Sequence, residues 1–171
     1  MDAALLSPPR RLSIPVENRW GGGDMAVLDF GDPDRPVDLV FAHANGFNAA
    51  TYRSLLSPLS ASLRIWAPDL RGHGGSALPV FRRRKTSWLD HRDDLIALID
   101  AVKGPPVVLA GHSMGATSSL MAAAERPERV SSLVLFDPVI WKRSAVLAFN
   151  LPLAHLFMAS VPLARSTLRR R

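Results

Sequence analysis

Residues 107–110, Val-Val-Leu-Ala, are uniformly apolar and run directly into Gly111-His112-Ser113-Met114-Gly115, after which helical spacing continues to about Arg126 and stops at Pro127. So short an apolar run suits a strand buried on both faces, and a proline after a helical stretch marks where that helix ends. A strand, a tight turn and a helix in that order call for a second, parallel strand. Val130–Phe136 supplies it and reads as another buried strand. Continuously apolar strands alternating with helices predict an α/β fold: a mostly parallel sheet with helices on both faces.

The rest of the chain extends this pattern at its N-terminal side. Residues 12–19 and 25–30 flank Gly21, Gly22, Gly23 and Asp24, a turn rich in residues that tolerate positive φ, and so predict an antiparallel pair. Residues 37–43 read as a buried strand ending in a polar loop. Within residues 52–63, Leu55, Leu56, Leu59 and Leu63 recur at helical spacing, with Pro58 limiting or kinking the helix. Residues 64–67 are a short strand candidate, and 68–76 a loop. An amphipathic helix is predicted over 88–102, with Trp88, Leu95, Ile96, Leu98, Ile99 and Val102 largely on one face. The total comes to about six strands, without internal repeats.

Charge narrows the choice of partners. The 171 residues carry a formal +6, but through Asp137 the chain holds 15 basic and 15 acidic residues and is neutral. The excess is Lys142, Arg143, Arg165, Arg169, Arg170 and Arg171, in a tail without acids. The other basic run, Arg82 to Lys85, reads as a solvated loop, and the aromatic interleaving of a single-strand binder is missing, so no nucleic-acid partner is expected. There is no cysteine, which removes disulfides, thiolate metal sites and a thiol nucleophile.

Residues 1–11 lack the basic and apolar regions of a signal peptide, so a cytoplasmic location is expected. Residues 144–164 carry no charge and are long enough to span a bilayer, yet Asn150, Pro152, His155 and Pro162 oppose that. They read instead as a lid or cap helix pair, with membrane contact kept as the lesser alternative. The expected division is therefore residues 1–140 as core and 141–171 as the start of a cap.

Gly111 to Gly115 form GxSxG, a pattern that arises by chance in roughly one chain in twenty of this length, so its setting matters more than its letters. Between a buried strand and a helix, the serine is forced into a tight turn, and the residues two before and two after it must be small. Such a turn presents the Ser113 hydroxyl at the sheet edge as a nucleophile. It also aims the Met114 N–H, at the positive end of the helix dipole, toward a developing oxyanion. An ordinary helix-capping serine is the bland alternative.

Three segments together resemble the α/β-hydrolase family: residues 41–47, FAHANGF; residues 68–76, PDLRGHGGS; and GHSMG itself. Ala44 stands where that family usually has glycine, and the resemblance makes Asn45 the donor of a second oxyanion N–H. The same loop is similar to that of haloalkane dehalogenases, which use an aspartate nucleophile; Ser113 argues against their chemistry here. The resemblance implies that His43, His73 and His112 order loops rather than act as bases, since the family's triad runs serine, acid, histidine. His155 follows the serine, but no strand delivers it. Asp137, directly after residues 130–136, is a candidate acid because some members place the acid there; a turn-initiating Asp-Pro is its plain reading.

Family members typically continue beyond this length to supply the last strands and the histidine, so the fold is expected to be truncated before them. The resulting expectation is a hydrolase of esters or related acyl bonds working through an acyl-serine, with a small-molecule acyl or ester substrate and no cofactor or metal. The rival is a non-catalytic truncated hydrolase remnant that either fails to fold stably or survives as a binding piece or one associated with a membrane through its apolar basic tail.

Overall fold

In the computed structural model, residues 8–80 and 87–140 are described. The readings made for the basic run at 82–85 and for 141–171, His155 included, lie outside the described residues.

Strands β1 (Arg10–Val16) and β2 (Gly23–Phe30) form the antiparallel pair expected from their glycine-rich connection, Arg10 lying opposite Asp29 and Val16 opposite Gly23. Next come β3 (Leu39–Ala42), β4 (Ile65–Pro68), helix α2 (Trp88–Ala101), β5 (Val107–His112), helix α3 (Met114–Glu125) and β6 (Val130–Phe136), with a single-turn helix α1 (Arg53–Leu56) between β3 and β4. The sheet order is β1-β2-β4-β3-β5-β6. β2 joins β4 antiparallel, while β4, β3, β5 and β6 run parallel.

Alternation of side chains along each strand divides the core into two clusters, one on each face of the sheet. Val27, Val40, Ala42, Trp66 and Leu109 join Leu95, Leu98, Ile99 and Met114 from α2 and α3. Their neighbours Leu28, Phe41, Ile65, Ala67 and Ala110 pack with Ala49, Tyr52 and Leu56 on the other face. Each cluster needs a helical cover, which is why the sheet is clad on both sides. Ser87 caps the N-terminus of α2, its N–H donating to the Asp90 carboxylate at 3.2 Å, half of a capping box.

Three expectations are corrected. The helix anticipated over 52–63 is broken into a 3-10 turn (Ala49–Tyr52), α1, and a second 3-10 turn (Ser57–Ala61). Pro58 lies at the start of the last of these, where its missing N–H costs nothing, whereas inside one continuous helix it would remove a hydrogen bond. Trp88 is exposed rather than on the buried face of α2, because it occupies that helix's first position at the rim. β6 is not buried: among the described residues it pairs with β5 alone, and Leu133, Val134 and Phe136 are exposed. Apolar composition records what a strand can bury against, not whether a neighbour is in place.

Candidate active site

The chain steps from β3 outward to β4 and then crosses back over β3 to β5, so β3 and β5 flank the point where strand order reverses. Ligands of parallel sheets bind outside the carboxyl ends of the strands at such a point. Ala42 is in register with Gly111, which sets the loop after β3 beside the turn after β5.

At that turn Ser113 has φ 52° and ψ −113°, a left-handed backbone for a residue with a Cβ. Such a conformation costs of order 1–3 kcal/mol and persists only where its surroundings hold it. Here the Ser113 N–H donates to the Phe136 carbonyl of β6 at 2.9 Å, and its carbonyl accepts from the Thr117 N–H at 3.0 Å. The flanking glycines have a steric reason. A Cβ on Gly111 would lie 2.5 Å from the Gly115 carbonyl carbon, and one on Gly115 would lie 2.6 Å from the His43 oxygen. The Ser113 side chain makes no capping bond to α3, unlike an ordinary N-cap serine, so its hydroxyl is left for other chemistry.

The Met114 N–H is at the first position of α3, where no intrahelical acceptor exists. Asn45 is exposed in the loop after β3. Ala44 N–H donates to the Tyr52 hydroxyl at 3.1 Å, Gly46 N–H to His73 Nε2 at 3.2 Å and Ala49 N–H to Asp69 Oδ1 at 2.8 Å, so three bonds fix the backbone around Asn45. Tyr52 also hydrogen-bonds His112 Nδ1 at 2.8 Å. The Tyr52 oxygen thus accepts from Ala44 and shares a hydrogen bond with the His112 ring, tying the Asn45 loop to the residue before Ser113. Asn45 and Met114 line one open cleft of about 320 Å³ together with His73, His91, Trp88 and Val80.

The motif histidines are engaged. His43 is fully buried; its Nε2 accepts from Leu70 N–H at 2.9 Å, so Nδ1 carries the proton and donates to Ala44 O at 2.7 Å. Burial holds its pKa below the ordinary value, with His73 adding to the effect, against the pull of the Ala44 carbonyl and Asp69. His73 accepts from Gly46 and donates from Nδ1 to Arg71 O at 3.0 Å. Asp137 follows β6 with φ 48° and is exposed. Its neighbour Val139 is pinned to α3, the Val139 N–H donating to Thr117 Oγ1 at 2.9 Å, while no hydrogen bond joins the Asp137 carboxylate to Ser113. Among the described residues no group of three or more His, Asp or Glu is placed to hold a metal ion.

Two features escaped the sequence reading. Arg71, from the loop after β4, meets Asp94 of α2 through Nε at 2.9 Å and Nη2 at 2.6 Å, both side chains almost wholly buried. Its remaining donors reach the carbonyls of Pro79 at 2.7 Å, Trp20 at 3.2 Å and Gly21 at 3.3 Å, so one guanidinium ties α2 to the β1–β2 connection and to the far part of its own loop. The second is His91, buried on the cleft wall with its pKa lowered to about 4, chiefly by desolvation, with His73, His43 and Arg71 adding to the effect and Asp90 opposing it. The i, i+4, i+7 spacing of His91, Leu95 and Leu98 is the signal that could have placed it on the buried face of α2.

This arrangement has relatives. A family model described as "Alpha/beta hydrolase family" matches residues 39–171. The chain is 30% identical over 162 residues to the magnesium-chelatase 30 kDa subunit of Rhodobacter capsulatus, covering 86% of this chain and 55% of that protein. It is 34% identical over 119 residues to lipase LipV of Mycobacterium tuberculosis, covering 68% and 42% respectively. Among solved structures, the thioesterase domain from the curacin biosynthetic pathway superposes with a TM-score of 0.67 at 27% identity, covering 87% of this chain and 54% of that one. The chain thus spans about half the length of the curated relatives it matches.

Proposed function

This chain belongs to the alpha/beta hydrolase family, and from that premise we propose that it carries the nucleophile and oxyanion hole of a serine hydrolase acting on esters or related acyl bonds. The observation that carries the reading is Ser113. It is held at positive φ between two sterically required glycines, with its hydroxyl free of the helix it precedes. That strain has no structural use for a capping serine, whereas it serves a side chain that must stand clear of the sheet edge. Similarity to a lipase and to a thioesterase domain supports an acyl substrate.

In this mechanism Ser113 Oγ attacks the substrate carbonyl carbon, and the carbonyl oxygen takes up negative charge between the N–H groups of Met114 and Asn45. Each such donor is typically worth about 10² to 10³ in rate, because it is oriented before charge develops. Collapse of the tetrahedral species expels the alcohol and leaves an acyl-serine, which water then hydrolyses. The serine proton passes to a histidine that the order serine, acid, histidine puts later in the protein, with Asp137 as the candidate that would orient it. His43 and His73 cannot take that role while both ring nitrogens are engaged.

The test is hydrolysis of p-nitrophenyl acetate and butyrate by the protein expressed from its complete reading frame. Ser113→Ala should lower kcat by at least about 10³-fold. Turnover that survives the substitution would remove Ser113 from the mechanism.

A further inference from the structure

The segment after β6 is tied to the nucleophile turn at both of its ends. At one end the Ser113 N–H donates to the Phe136 carbonyl at 2.9 Å. At the other the Val139 N–H donates to Thr117 Oγ1 at 2.9 Å. The Thr117 hydroxyl lies 3.2 Å from the Val139 carbonyl and 3.3 Å from that of Ser113, and its single proton serves one of them at a time. A helical threonine ordinarily bonds the carbonyl four residues back and no more, whereas this one, buried one turn into α3, also holds a loop 22 positions further along the chain. Asp137 and Pro138 lie between the two anchors. Asp137 has φ 48° although a proline follows it, and a residue before proline otherwise settles in extended backbone. Such a conformation persists where its surroundings impose it, and here the anchors at Phe136 and Val139 do so.

We infer that Thr117 is a positioning residue: through Val139 it fixes the point from which the Asp137 carboxylate enters the site, and so the orientation of the histidine that carboxylate serves. The inference rests on the reading of Ser113 as nucleophile and Asp137 as its acid. Asp137 itself is exposed at the carboxyl end of β6, beside the strand that delivers Ser113, so its backbone is what holds it in place. Without the Thr117 hydroxyl the Val139 N–H loses its acceptor, and the Asp137 turn relaxes toward the extended backbone that Pro138 favours. The carboxylate then moves away from the imidazole. A carboxylate in contact with an imidazole favours the protonated ring, so its withdrawal lowers the pKa of the catalytic base as well as leaving the ring unsupported. A threonine that merely stabilised α3 would have neither effect.

The test measures kcat, KM and the pH dependence of kcat/KM for p-nitrophenyl butyrate, using the protein from its complete reading frame. Thr117→Val keeps the shape of the side chain without its hydroxyl. It should lower kcat about tenfold or more, leave KM within about twofold, and move the acid limb of kcat/KM to lower pH. Thr117→Ser keeps the hydroxyl and should restore all three. In an Asp137→Asn background, Thr117→Val should lower kcat by less than about twofold further, because nothing is left for it to position. A loss of the same size with and without Asp137, or one that leaves the acid limb where it was, marks a purely structural threonine and overturns the inference. Unchanged kinetics in a folded Thr117→Val protein would do the same, and Thr117→Ala is read by these criteria where the valine variant does not fold. Failure of the underlying reading looks different: hydrolysis persists in Ser113→Ala, or Asp137→Asn alone keeps full kcat, and either result removes the inference with its premise.

Discussion

Acidification should destabilise this protein through His91 before most of its carboxylates titrate. In the native state His91 faces His73, His43, Asp90 and Arg71, and burial lowers its pKa from 6.5 to about 4. The unfolded chain therefore binds a proton near pH 6.5 that the native state refuses until about pH 4. Stability rises with pH wherever the unfolded state holds more protons. The contribution is complete above pH 6.5 and is lost progressively as pH falls to about 4. At about 1.4 kcal/mol for each tenfold change in proton affinity, the full loss is about 3 kcal/mol, a sizeable share of a typical domain's stability. His43, whose pKa is lowered in the same direction, adds to the slope. Urea unfolding at pH 7.5, 6.5, 5.5 and 4.5, comparing the wild type with His91→Phe, isolates the His91 part because other titrations cancel in the difference. The variant should gain on the wild type by about 2 to 3 kcal/mol between pH 7.5 and 4.5. A difference that stays constant across that window, or that changes in favour of the wild type on acidification, would refute the reasoning.

Two substitutions probe the site's scaffold. Gly115→Ala sets a Cβ 2.6 Å from the His43 oxygen and should cost about 3 kcal/mol or prevent folding, whereas Gly46→Ala, at φ +77° with open space around it, should cost only about 1 to 2 kcal/mol; thermal melts decide. Tyr52→Phe unpairs the Ala44 N–H and His112 Nδ1, so it should cost about 1 to 3 kcal/mol and slow modification of Ser113, and unchanged values of both would remove Tyr52 from the positioning of the oxyanion loop.

Much of this geometry was legible in the residues because the constraint was local. Four apolar residues, a serine between two glycines and a helix ended by proline allow one arrangement of β5 and α3, and the structure has it. The glycine-rich connection announced the β1–β2 pair for the same reason. Other parts depend on contacts that spacing cannot encode. The apolar content of β6 was visible, but whether a neighbour covers it is a property of the rest of the protein. Arg71 and Asp94 are separated by 23 positions and belong to stretches that read separately as loop and amphipathic helix. His91 could have been placed on a buried face, yet nothing in a sequence distinguishes a satisfied core histidine from one with an orphaned nitrogen. Asp137 follows the last residue of β6, as its place in the sequence implies, with its carboxylate exposed.

The central claim is that Ser113 is a nucleophile, and the most direct measurement is the intact mass of the protein after reaction with a fluorophosphonate, followed by peptide mapping. The account predicts a single adduct, on Ser113, that disappears in Ser113→Ala. An unmodified protein, or an adduct that survives the substitution, would contradict it.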